Sequence, residues 1–142
     1  TTGGQGVARV PLSGRPRTMT RTVRMAGARA PADTWSVALD LALEAREVLA
    51  DIEPNDRILR RVAAATRLST ARSGEYLAWR YGFAPFHYRV MPLGDRLEDG
   101  IIVFRVRKRG TATEMAVCEV LAPSGADIGG AMSSLLRRSG AD

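Results

Sequence analysis

Residues 86–121 read FHYRVMPLGDRLEDGIIVFRVRKRGTATEMAVCEVL, and their side chains follow a period of two in three successive runs. This period is typical of strands that bury one face. Gly94-Asp95 and Arg109-Gly110-Thr111 separate the runs, and short breaks of this kind join antiparallel neighbours. The stretch therefore predicts a three-stranded antiparallel meander.

Three helices are predicted before the meander, because apolar residues recur there at helical spacing. They cover residues 34–49, residues 54–65 and residues 74–81. Ser73 is placed to cap the third helix, and Gly82 is placed to end it.

A loop of small residues, 124–130, follows the last strand and leads into a helix predicted over residues 131–138. The free N–H groups and the positive dipole end of a helix N-terminus bind phosphate, and glycines allow close approach. Asp127 can instead cap this helix, and its carboxylate would repel a phosphate. The loop is thus either an anion site or a plain glycine-containing connection.

The composition is that of a single soluble globular domain, with 142 residues, 45% of them hydrophobic and 25% charged. Cys118 is the single cysteine, which excludes an internal disulfide and a cysteine-rich zinc site and favours a reducing, cytoplasmic setting. No apolar run approaches the ~20 residues that span a bilayer. The N-terminus has no signal-peptide pattern.

The net charge is +6, which raises the question of a phosphate-bearing partner. The basic residues are spread along the chain and form no compact run with interleaved aromatic residues, which disfavours a nucleic-acid site. No paired histidines or carboxylate cluster indicates a metal.

The segment Glu75-Tyr76-Leu77-Ala78-Trp79-Arg80-Tyr81, followed by Pro85 to Val90, is similar to a stretch of the GNAT N-acetyltransferase domains that occur in tandem pairs. The order of helices, meander, glycine-containing loop and helix also resembles the N-terminal and central part of a GNAT domain. The resemblance covers residues 55–142 at most. We therefore expect an α/β, GNAT-like domain over residues 34–142, C-terminally truncated, with residues 1–33 as a linker or the tail of a preceding domain.

The resemblance implies N-acyl transfer from acetyl-CoA to a small-molecule amine. It assigns coenzyme A binding to the end of the fourth strand and the loop and helix start after it, namely Val120, Leu121, Gly125, Ile128, Gly129 and Gly130. Glu119 is the candidate catalytic base, because a carboxylate that shares an apolar strand face with Val117 and Leu121 would be a better proton acceptor. The alternative is a strand glutamate that faces solvent or pairs with an arginine such as Arg105 or Arg107.

The loop departs from the family pattern, because no Gln or Arg precedes its glycines at the usual place. Two other functions therefore stay open. One is a non-catalytic GNAT-like module for interaction or scaffolding, which would contact a neighbouring domain. The other is an arginine-rich nucleic-acid-binding domain. An exposed sheet edge would also favour self-association.

Overall fold

A four-stranded antiparallel sheet forms the centre of the computed structural model, which describes residues 36–63 and 71–142. The strands lie in the order β1-β2-β3-β4, and their bounds are Leu43–Glu44, Arg89–Pro92, Ile101–Arg109 and Ala112–Leu121. The mixed α/β class with an antiparallel meander is confirmed. The predicted linker, residues 1–33, lies outside the described residues.

Four α-helices surround the sheet in the described part of the chain. Three of them, α1, α2 and α3, lie between β1 and β2 in the chain, and α4 follows β4. Their bounds are Ala45–Val48, Ile52–Ala63, Gly74–Tyr81 and Ile128–Arg138. The last three agree with the predicted helices to within a few residues.

The sheet is covered on both faces, because successive residues of a strand point to opposite sides. One face, here called the inner face, carries Ile101 and Val103, which pack against α1, α2 and α3. The opposite, outer face carries Ile102 and Phe104, which pack against Leu135 of α4 and the segment before β1. Two apolar clusters on either side of β3 therefore form the core.

The helix predicted over residues 34–49 is wrong for residues 36–44, which contain a bend at residues 40–42 and the short strand β1 before α1 begins at Ala45. Arg89 explains the difference. Its guanidinium donates to the carbonyls of Leu41 and Ala42 at 2.9 and 2.7 Å and lies 3.3 Å from a carboxylate oxygen of Glu44. These contacts, with the pairing of Leu43 and Glu44 to β2, hold the segment against the sheet, so tertiary contacts override the helical spacing.

Helix α3 begins and ends as its sequence predicts, although the terminal glycine acts differently. Ser73 Oγ accepts a hydrogen bond from Tyr76 N at 3.2 Å, which is an N-cap. Gly82 has a right-handed φ of −78°, so no left-handed C-cap forms. An added Cβ at Gly82 would lie 2.6 Å from the carbonyl oxygen of Ala78, so glycine is needed for close packing.

The first meander strand begins later than its period predicts. A 3-10 turn covers Ala84–Phe86, and His87 adopts a left-handed φ of 44° before β2 begins at Arg89. Pro85 in this turn favours the bend. Phe86 is therefore displaced from the sheet and packs beside it.

Candidate functional site

Glu119 lies on β4, and a β-bulge decides which face it occupies. Glu119 is paired with Val103, but Val117 is paired with Phe104, so Cys118 is the extra residue between them. Val103 and Phe104 point to opposite faces. Glu119 therefore shares the inner face with Leu121, as predicted. The prediction that Val117 lies on the same face is wrong, because Val117 lies on the outer face.

The Glu119 carboxylate has two polar neighbours. Arg72 Nη1 lies 2.6 Å from Glu119 Oε2, and the Tyr81 hydroxyl lies 3.3 Å from the same oxygen. Both members of the ion pair are mostly shielded from solvent, with exposed side-chain fractions of 28% and 17%. The predicted alternative of an ion-paired glutamate thus holds, but the partner is Arg72 rather than Arg105 or Arg107.

Tyr81 connects α3 to this carboxylate. Its ring is buried, and burial raises the pKa of the phenol to about 12, with a smaller contribution from the negative charge of Glu119. Tyr81 therefore stays protonated at neutral pH and serves as a donor to Glu119. Sequence reasoning missed both Tyr81 and Arg72 because neither is near Glu119 in the chain.

Cys118 lies beside this group. Burial raises the pKa of its thiol, and its Sγ is 3.5 Å from the carbonyl oxygen of Ala116. A buried thiol with a raised pKa is a poor nucleophile. Cys118 therefore behaves as a small apolar residue that packs against the inner cluster.

The loop after β4 and the start of α4 hold the remaining candidate residues. Asp127 is the N-cap, and its Oδ1 accepts a hydrogen bond from Gly130 N at 2.8 Å. Ile128 N donates to the carbonyl of Ala126 at 2.9 Å. Within the described residues, Gly129 N is the amide of this first turn that donates to no protein acceptor. The predicted cap is confirmed, and it occupies part of the predicted anion site.

The predicted site residues thus fall into two groups on different sides of the sheet. Glu119 and Leu121 face α2 and α3, whereas Val120 is paired with Ile102 and faces the side of α4. The glycines of the loop lie at the end of β4 and are exposed. A ligand that contacts both groups has to cross the outer edge of β4.

That edge is engaged at one end by the last residue of the chain. Asp142 N donates to the carbonyl of Thr113 at 2.9 Å, and Thr113 N donates to Asp142 Oδ2 at 2.8 Å. Farther along β4, Val117 and Val120 are 39% and 37% exposed. No further strand pairs with this edge in the part of the chain that the structure describes.

No metal-binding group of histidine, cysteine or carboxylate side chains occurs among residues 36–63 and 71–142. In the same residues, no helix has the length and apolar character that crossing a bilayer requires. Comparisons with protein-family models, with curated proteins and with solved structures gave no match.

Proposed function

We propose that this chain is a GNAT-like N-acyltransferase domain that transfers an acetyl group from acetyl-CoA to an amine. The observation that carries the proposal is the order of the elements. A short β1, three helices, the β2-β3-β4 meander and a glycine-containing loop that opens α4 follow one another, with the strands in sequential order in the sheet. This is the order expected from the resemblance of residues 55–142.

The chemistry assigns two tasks to the described residues. The amine nitrogen attacks the thioester carbonyl carbon, the carbon–sulfur bond breaks, and the amine loses a proton. Glu119 is the proposed acceptor of that proton. Arg72 and the Tyr81 hydroxyl hold its carboxylate in one orientation, because both contact the same oxygen.

The amides at the start of α4 are the proposed phosphate donors. Gly129 N is open, and an added Cβ at Gly129 would meet only the Asp127 carboxylate, at 3.8 Å, so there is room for an approaching group. The thioester end would then run across the β4 edge toward Glu119.

A second candidate is a non-catalytic module of the same fold, and Asp127 favours it. The Asp127 carboxylate already satisfies Gly130 N. A phosphate at this turn would meet a like charge, which costs roughly 0.8 kcal/mol at about 5 Å in water. In this case the loop would serve only to join β4 to α4.

Calorimetric titration of acetyl-CoA distinguishes the two candidates. The key variant is Asp127→Ser, which keeps a capping oxygen but removes the charge. We expect its affinity to rise about fourfold at low salt, from the same roughly 0.8 kcal/mol. Gly129→Asp adds a carboxylate at the open amide and should abolish binding. Arg137→Glu, at the other end of α4, is the matched charge control.

Two results would separate the proposals further. If wild type and Asp127→Ser both fail to bind at about 1 mM acetyl-CoA, which corresponds to −4.1 kcal/mol, the enzyme proposal is rejected and the non-catalytic module remains. If binding occurs, thioester consumption with a panel of primary amines should fall at least ~100-fold in Glu119→Gln, which keeps the size of the side chain but cannot accept the proton.

A further inference from the structure

An open groove lies against the C-terminal end of α3 and the turn that follows it. It has a volume of about 650 Å³, and two of its walls are exposed aromatic side chains, with Trp79 75% and Phe83 50% exposed. Large aromatic residues usually lose most of their exposed area on folding, so such exposure on neighbouring residues needs an explanation. The lining residues are Ala78, Trp79, Arg80, Gly82, Phe83 and Phe86.

Ring contacts hold Phe83 and Phe86, and Trp79 lies 6.1 Å from the Tyr76 ring between centroids. The Phe83 and Phe86 centroids are 5.1 Å apart in an edge-to-face arrangement, and Phe86 lies 5.6 Å from Tyr88. Gly82 allows a close turn at the end of α3, since an added Cβ would collide with the carbonyl of Ala78, and Phe83 after this turn lines the same groove as Trp79. A preorganised surface loses little conformational entropy when a partner binds.

The charge of the groove has one sign. Arg80 is the charged residue among its six lining residues, and none of the six is a carboxylate. Arg80 forms no ion pair with an acidic side chain within residues 36–63 and 71–142, and its guanidinium contacts Tyr81, 5.7 Å from the centroid of that ring. The Arg105 guanidinium lies 4.8 Å from the centroid of the Phe86 ring, so a second cation contacts one of the lining rings.

Together these features define the partner by its chemistry. Tryptophan and arginine are the residues that most often dominate binding energy at protein interfaces. A groove with aromatic walls and a cationic side chain is complementary to acidic residues around an apolar side chain. A second copy of this chain is disfavoured, because its net charge is +6 and like charges repel.

We propose that the groove of Trp79, Arg80, Phe83 and Phe86 is a docking site for an acidic segment of a partner protein, anchored by an apolar side chain. The groove borders the proposed acyl-transfer site, because Arg80 lies 5.7 Å from the centroid of the Tyr81 ring. Peptide binding and thioester consumption are separate measurements, so failure of one proposal is distinguishable from failure of the other. The segment would place its apolar side chain against Trp79 and Phe83 and its carboxylates near Arg80.

The test uses a short peptide of Asp and Glu that carries one Leu and one Phe, and the same peptide with Lys at each acidic position. In a Trp35→Phe background, Trp79 is the only tryptophan, so its emission reports occupancy of the groove. We expect saturable binding of the acidic peptide and none of the lysine peptide. By calorimetry in the wild-type background, Trp79→Ala and Arg80→Glu should each weaken binding about tenfold or more.

Both substitutions are at exposed positions of α3 and should leave the far-ultraviolet circular dichroism unchanged. Arg137→Glu on α4 is the matched charge reversal and should bind like wild type. Absence of binding by the acidic peptide overturns the proposal, as does equal binding of the lysine peptide. Displacement of the peptide by an oligothymidylate would assign the groove to nucleic acid, and Trp79-dependent dimerisation in sedimentation would assign it to a second copy.

Discussion

Replacing Gly130 with alanine tests whether the Asp127 carboxylate holds the start of α4. Gly130 N donates to Asp127 Oδ1, and a Cβ at position 130 would collide with the same carboxylate. The methyl group must therefore displace the cap. Alanine in a helix is about 1 kcal/mol more favourable than glycine, and an N-cap contributes about 1 kcal/mol. The two effects should cancel in Gly130→Ala.

The cancellation predicts a definite thermodynamic cycle. Asp127→Ala alone should lower the free energy of unfolding by about 1 kcal/mol, because the cap is lost. Adding Gly130→Ala to that variant should restore about 1 kcal/mol, because no carboxylate remains to collide. The coupling free energy between the two positions is therefore about 1 kcal/mol, well above the few tenths expected for independent sites.

Urea denaturation followed by circular dichroism measures the cycle, provided that the slope of the transition is the same in all four proteins. Asp127→Asn is a suitable control, since asparagine caps as well as aspartate and should leave stability nearly unchanged. If Gly130→Ala stabilises the wild type by the full ~1 kcal/mol, the carboxylate is not held at Gly130 and the argument that it obstructs a phosphate fails with it.

Two further predictions concern stability. Gly74→Ala should destabilise the protein by about 1–3 kcal/mol, because its Cβ would lie 2.5 Å from the carbonyl oxygen of Ile52, whereas the open site at Gly129 should tolerate alanine; urea midpoints compare the two. The pKa of Tyr81 is raised to about 12 in the folded protein. The contribution of the protonated Tyr81 to the free energy of unfolding is therefore fully present below pH ~10 and is lost as the pH rises through about 12. Between pH ~9 and ~12, the free energy of unfolding should fall less in Tyr81→Phe than in the wild type, and as much as in the wild type in the exposed control Tyr76→Phe. Equal decreases in both variants would contradict the assignment.

The sequence is informative wherever structure depends on neighbours in the chain. Helix α3 with Ser73 as its cap, the two long strands β3 and β4, and the Asp127 cap were all predicted, because spacing, capping oxygens and turn glycines act within a few residues. Such local signals agree with the fold over most of residues 71–142.

The sequence-based predictions are wrong where the local structure depends on residues distant in the chain. Apolar residues before α1 recur at helical spacing, but Arg89 donates hydrogen bonds to the carbonyls of Leu41 and Ala42. A contact between residues nearly fifty positions apart cannot be predicted from a local pattern. The face of Glu119 was predicted from strict alternation, and the bulge at Cys118 reverses it. Bulges have no strong sequence signal when the extra residue is not glycine.

The contacts of the arginines show that many of them stabilise the fold. Most of the described arginines named above are partners of a carboxylate or a carbonyl. Arg72 is paired with Glu119, Arg89 fixes the segment before α1, and Arg107 and Arg109 both bind Glu114. Hydrogen bonds from Arg107 and Arg109 outweigh burial and lower the pKa of Glu114.

Arginines used in this way stabilise one fold rather than present a charged surface. A bidentate, always charged guanidinium suits this role better than lysine, since it joins backbone carbonyls and carboxylates in one geometry. The basic balance of the chain therefore does not by itself indicate a polyanion. Arg80 differs, because in the described residues it forms no ion pair and borders exposed aromatic rings. Binding specificity should accordingly be sought at that groove and at the start of α4, where Gly129 N donates to no protein acceptor among the described residues.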